Sequence, residues 1–162
     1  MYTLYERIKI MTTGKDKLQF RSNHNRLGIA QSAWKSALHK TVADPIVGIR
    51  HAVIDDSTEF KFKNHVAAIP DRVGCHFHAH DEEYYAVVKG HGMLYWGKAE
   101  KIGDDYTVPN PEEPIYVQKG DSFTIPEGYA HQLKNDGDGE LVIVFSCPDT
   151  HLDDKADRTM LP

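Results

Sequence analysis

Three histidines recur at every second position in the segment Gly74-Cys75-His76-Phe77-His78-Ala79-His80. On an extended strand, side chains two apart share a face, so His76, His78 and His80 point one way and Cys75, Phe77 and Ala79 the other. Two neighbouring imidazoles on one face are placed to share a cation, and a metal ion offsets the cost of desolvating a histidine cluster. Glu83 follows at the start of the next candidate strand and brings a hard oxygen donor that neutralises part of a cation's charge. A fourth donor must come from a distant part of the chain. His131 is the candidate, on a strand that opens after a turn at Pro126-Glu127-Gly128. The expected site is therefore one divalent transition-metal ion on His76, His78, Glu83 and His131. The alternative is a hydrogen-bonded polar cluster in a metal-free barrel.

Two blocks around these residues resemble the two motifs of the cupin superfamily. The first reads His76-x-His78, four residues, Glu83, six residues, Gly90. The second reads Gly120, five residues, Pro126-x-Gly128, two residues, His131, three residues, Asn135. The second block matches at each defined position; the first departs at its start, where Pro70 stands in place of the family's leading glycine. The resemblance covers roughly residues 74–135. It implies an all-β, cupin-type jelly-roll β-barrel (double-stranded β-helix), and it carries the family's metal ligands onto His76, His78, Glu83 and His131.

The superfamily uses one such site for dioxygenation, decarboxylation, isomerisation, β-elimination and ligand storage, so fold and ligands do not select the chemistry. Three imidazoles and a carboxylate leave positions open for a substrate, and iron, manganese, nickel, zinc and copper all accept this donor set. The favoured expectation is a metal-dependent enzyme acting on a small organic substrate, of the dioxygenase type. A metal-dependent isomerase or lyase on a sugar phosphate or oxygen-rich acid is the second, and a non-catalytic ligand-binding barrel the third. Glu83 and Tyr85 are the expected catalytic residues: Glu83 as a base, and Tyr85 because it shares a strand face with it. The Glu-x-Tyr arrangement is similar to that of the archaeal glucose-6-phosphate isomerases. That branch has a tyrosine near the last-strand position where this chain has Phe145-Ser146-Cys147. Arg72 and Lys134 are the nearby cations for an anionic substrate, and Gln132, Phe123, Met93 and Tyr95 are further candidates for the cavity wall.

The elements that position these residues divide the chain into three parts. Residues 1–45 form an extension, partly helical: Leu27, Ala30, Trp34, Ala37 and Leu38 lie on one side of a helix over 27–38, and Asp44-Pro45 ends it. Residues 46–148 carry short β segments with turn chemistry between them, which is the pattern of a sandwich or barrel. A first ligand strand is expected over 74–80, and residues 98–114 form a polar excursion between the motifs, expected as a surface insertion. Residues 149–162 form a polar C-terminal tail, expected on the surface. The apolar outward faces of the two ligand strands, Cys75, Phe77 and Ala79 with Tyr84, Ala86 and Val88, need a cover. Either the N-terminal segment or a second subunit supplies it, and a homodimer is the expectation.

The bulk composition agrees. The 162 residues carry a net charge of -5 with histidines neutral, which argues against nucleic acid or an anionic membrane as a partner. No apolar run is long enough for a bilayer, and the N-terminus mixes Glu6, Arg7 and Lys9 into its apolar residues, unlike a signal peptide; a cytoplasmic protein with a small-molecule partner is expected. Two cysteines, Cys75 and Cys147, read as small buried hydrophobes. Of the other histidines, His80 is expected at the rim and His91 in solvent. His24, His39, His51, His65 and His151 lack partner spacing and are expected to be surface or structural.

Overall fold

Alternating apolar residues, β-branched segments and Gly- or Pro-containing turns give short strands that pair antiparallel. The computed structural model describes residues 21–22, 30–55 and 61–162. In chain order the elements are β1 (Arg21–Ser22), helix α1 (Ala30–Leu38), β2 (Val42–Asp44), β3 (Ile49–Asp55), β4 (Phe62–Ile69), β5 (His76–Phe77) and β6 (Glu83–Lys89). They continue as β7 (His91–Lys98), β8 (Glu100–Ile102), β9 (Asp105–Thr107), β10 (Ile115–Gln118), β11 (Asp121–Ile125), β12 (Tyr129–Asn135) and β13 (Leu141–Pro148). A single-turn 3-10 helix (Asp149–Leu152) and β14 (Thr159–Met160) end the chain.

The strands form one sheet in the order β1-β11-β6-β13-β4-β3-β2 and a second in the order β10-β7-β12-β5-β14. β6, β11 and β13 lie in the first sheet and β7, β10 and β12 in the second, so the chain crosses repeatedly between the sheets as in a jelly-roll, with the one described α-helix in a minor N-terminal part. Between the sheets lies a core that includes Ile69, Tyr85, Val87, Leu94, Trp96, Phe123, Leu133, Ile143 and Phe145. Gly90 turns β6 into β7 with φ of +78°, and a Cβ there would lie 2.9 Å from the Glu140 carbonyl oxygen, so glycine is required on both counts. Asn135 locks the far end of the barrel. Its side-chain amide donates to the carbonyls of Ile69, Pro70 and Gly139, while its Oδ1 accepts from Gly137 N.

Strand β13 is buried along its whole length, on both faces. Leu141, Ile143, Phe145 and Cys147 face the core between the sheets. Val142 and Val144 face the other way and join Val66 of β4 and Val88 of β6 in a second cluster against Trp34, Ala37 and Leu38 of α1. Those three helix positions are three and four apart and so share one helix face. The apolar outer face expected around Val88 is thus covered by the chain's own helix. On the first ligand strand the Phe77 ring packs 4.8 Å from that of Tyr106 on β9, while β14 pairs edge to edge with β5 through Thr159 and Met160. Of the outward apolar residues, Phe77, Ala86 and Val88 are buried within the chain, Cys75 and Tyr84 are partly buried and Ala79 is exposed.

Two further expectations change, and the expected surface insertion at 98–114 is exposed. The first ligand strand is two residues long rather than spanning 74–80, because Ala79 N and His80 N donate to the Asp157 carboxylate instead of to a neighbouring strand. The 98–114 excursion contains a hairpin, with Glu100 paired to Thr107 and Ile102 to Asp105. Residues 149–162 are not a surface tail: His151 and Arg158 are buried, and β14 adds an edge to the second sheet. His24, residues 27–29 of the expected helix and residues 56–60 lie outside the described residues.

Removing the Trp34 side chain uncovers Val66, Val88, Val142 and Val144. Trp34→Ala is expected to cost about 2 kcal/mol in urea unfolding, below the usual core value because the indole is only half-buried.

Candidate metal centre

The barrel brings the four sequence-predicted ligands to one point. His76 on β5 and His131 on β12 are direct cross-strand partners, and their ring centroids are 4.4 Å apart. Glu83 opens β6 in the facing sheet, and His78 follows β5 where the chain leaves the ladder. One donor atom from each of His76, His78, Glu83 and His131 falls within 4.8 Å of the others, and all four residues are buried. Glu83 Oε2 lies 3.2 Å from His131 Nε2, and Oε1 lies 3.5 Å from His78 Nε2.

The imidazole tautomers follow from what faces each ring. His76 Nδ1 is 2.8 Å from the Gly74 carbonyl, His78 Nδ1 is 2.9 Å from the Asp157 carbonyl, and His131 Nδ1 is 3.1 Å from the Tyr129 carbonyl. A carbonyl only accepts, so each Nδ1 carries the hydrogen and each neutral ring turns its Nε2 lone pair toward the cluster. This is the outer-shell arrangement that orients imidazole ligands toward a metal. His78 Nε2 is buried and has no hydrogen-bond partner, which a cation at the cluster would satisfy.

The charge states agree with that geometry. Burial, reinforced by His131 and His78, holds His76 well below the ordinary imidazole range. Burial also lowers His78 to about 4, against the pull of Glu83. Burial would raise the Glu83 carboxyl, but His78, His131 and His151 beside it overcome that and hold the group well below 4.5. Near neutral pH His76 and His78 are thus neutral imidazoles beside an ionised carboxylate. Tyr85 Oη donates to Glu83 Oε2 and lies 3.1 Å from His131 Nε2. Burial and the Glu83 charge push its pKa well above 10, so it remains a donor.

The C-terminal segment adds residues that the sequence reading missed. His151, 1% exposed, places Nδ1 3.1 Å from Glu83 Oε1 and Nε2 2.7 Å from the His80 carbonyl. Its ring stacks on that of His78 at 3.8 Å with the planes 2° apart. Asp157 accepts from the His78 ring through its carbonyl and from Ala79 N and His80 N through its carboxylate. No spacing pattern ties residues 151 and 157 to the motifs. The one signal available was apolar Leu152, Met160 and Leu161 inside a polar stretch, as in a segment that docks.

A cavity of about 40 Å³ adjoins the cluster, lined by His76, Glu83, Tyr85, His131 and His151 at one end and by side chains such as Ile69, Leu133, Ile143 and Phe145 elsewhere. Its lining cation is Arg158; Arg72 and Lys134, the cations expected from sequence, form a bridge outside it. Gln132, Phe123, Met93 and Tyr95 do not line it. Phe123 instead stacks on Tyr85 with centroids 5.4 Å apart, and Tyr95 is exposed. His80 is exposed, as expected at a rim, whereas His91 is half-buried beside Tyr116 and His65 is fully buried against Phe145.

A two-sheet jelly-roll with a buried His/Glu cluster that could hold a metal ion is a cupin-type barrel. Residues 66–147 match the family model described as the cupin domain, half of the chain, and the chain belongs to the cupin family. Among solved structures it is similar to the oxalate decarboxylase of Lactobacillus farciminis in its formate complex, at 17% identity and a TM-score of 0.53, over 76% of this chain and 34% of that one. A variant of the Bacillus subtilis oxalate decarboxylase gives 17% identity and 0.53, over 77% and 31%. CapF bound to the inhibitor 3-isopropenyl-tropolone gives 22% and 0.55, over 75% and 33%. These likenesses show the fold, and the chain spans about a third of the length of each protein. No curated protein matches the sequence. Among the described residues no helix is long and apolar enough to cross a membrane.

Histidines buried neutral make the fold acid-sensitive. His65, like His78, is lowered to about 4 from 6.5, by burial and then by His51. Between those values the folded state binds fewer protons than the unfolded one, so stability falls as pH drops from 6.5 toward 4. Glu83 adds stability above 4.5 that is lost as pH falls toward its depressed value, while the raised His151 contributes below 6.5 and loses that as pH rises. The melting temperature of metal-free protein is expected to fall over that acid range. His65→Leu is expected to flatten the slope, since it removes one neutral histidine that is no part of the cluster; an unchanged slope would contradict the assignment.

Proposed function

We propose that this chain holds one divalent transition-metal ion on His76, His78, Glu83 and His131, and that it is an enzyme acting on a small organic substrate. One observation carries the reading: backbone carbonyls fix all three Nδ1 hydrogens, so three Nε2 lone pairs converge beside an ionised carboxylate, one of them buried without a partner. When bound, such a metal supplies Lewis acidity and, where it is redox-active, electrons for oxygen chemistry.

The chain's own residues do the rest. Tyr85 holds its proton and donates it to Glu83 Oε2, while His151 faces Oε1, so both oxygens of the carboxylate are held from the protein side. Glu83 is the group placed to accept a proton from a substrate at the cluster. The apolar side chains beyond them exclude water. A dioxygenase-type reaction suits this dry, largely uncharged pocket better than chemistry on a sugar phosphate, because Arg158, the cation in the lining, is already paired to Asp44 and Asp154.

Metal content of untagged protein tests the reading. Near-stoichiometric metal is expected in the parent, at least about ten-fold less in His78→Ala, and full occupancy in Tyr85→Phe, which removes a hydrogen bond but no ligand. A parent that stays empty after incubation with iron, manganese, nickel, zinc and copper in turn would overturn it.

A further inference from the structure

The polar groups of the cavity sit at the metal end, and its far wall carries no charge that is free to meet a ligand. Arg158 Nε lies 2.5 Å from Asp154 Oδ1 and Nη1 lies 2.8 Å from Asp44 Oδ2. Two carboxylates of the outer groove against one guanidinium offset the Arg158 charge at the cavity wall, so a second anionic group on a ligand would gain little from it. The walls between the two ends are apolar, among them Ile69, Ile143 and Phe145. At roughly 10–15 Å³ for each water, the cavity has room for about three waters, so a ligand that fills it is small. Leu152 and Arg158 line this cavity and also an outer groove of about 390 Å³ that includes Asp44, Pro45 and His51, so they form the partition between cavity and groove.

Resting on the metal reading above, we propose that the site takes a short aliphatic molecule with one oxygen head group at the metal. Its short uncharged tail packs on Ile69, Ile143 and Phe145. The molecule enters from the groove past Leu152 and Arg158. A divalent ion with the Glu83 carboxylate carries one net positive charge, so the site accepts one anionic head group and rejects a dianion of the same length. Asp44 and Asp154 set that selectivity by neutralising Arg158.

The full chain loaded with cobalt(II) tests this, with the visible absorption of the ion as the readout and butyrate and succinate as probes of equal carbon count. Butyrate is expected to shift the bands and saturate with a dissociation constant at least about ten-fold below that of succinate. Asp154→Asn, at a partly exposed position outside the cavity, removes one of the two negative charges that offset Arg158. It is expected to tighten succinate several-fold while leaving butyrate unchanged. Succinate binding as tightly as butyrate in the parent would overturn the proposal, as would an Asp154→Asn variant with an unaltered ratio. Absence of cobalt bands before any ligand is added would overturn the metal reading itself, and this inference with it.

Discussion

Glu83 is a carboxylate sealed inside the barrel, and much of the architecture around it answers to that fact. A buried charge is tolerated where opposite charge and hydrogen bonds replace lost water. Here His131 and His78 approach from one side, Tyr85 donates from its own strand, and His151 arrives from the far end of the chain. The rings that approach Glu83 are fixed by backbone carbonyls, so the cluster inherits the rigidity of the ladders that carry it. Moving any one of these strands by a single residue would turn its ligand to the opposite face.

The C-terminal segment is part of the same solution. Asp157 does three jobs at once: its carbonyl orients His78, and its carboxylate takes the two amides that the short β5 leaves without ladder partners. Arg158 then ties the segment to Asp44, at the start of the barrel, and to Asp154 within itself. Although Asp44 is partly buried, Arg158 and the amides of Val47 and Ile46 keep its carboxyl below the ordinary value, as expected for a pair that stays ionised. The segment therefore builds the ligand geometry and the cavity wall together, which links the shape of the site to the selectivity inferred for it.

The covering of the barrel has the same economy. Valines of β4, β6 and β13 that point away from the core meet α1, while Phe77 meets Tyr106 of the hairpin between the two motifs. Periodicity showed that these faces are apolar and need a partner, but not which piece of chain would supply it. The homodimer expectation arose there, beside the alternative that the N-terminal segment supplies the cover, and α1 takes that place over Val66, Val88, Val142 and Val144.

Residue type and spacing determined much of this protein. The alternation around residues 76–78, the carboxylate at 83 and the turn before His131 led to the four clustered residues, because strand parity is a local property of the backbone. The jelly-roll class followed from turn chemistry and the paired motifs, and α1 from its one-sided apolar pattern. His151, Asp157 and Arg158 were decided by tertiary structure alone. They reach the site through a docked segment whose local sequence is polar, and polarity along the chain does not distinguish a surface tail from one whose polar groups are all met by partners from elsewhere in the fold. The small cavity is likewise a product of packing: it lies where β3, β4, β5, β6, β12, β13 and the returning C-terminal segment meet.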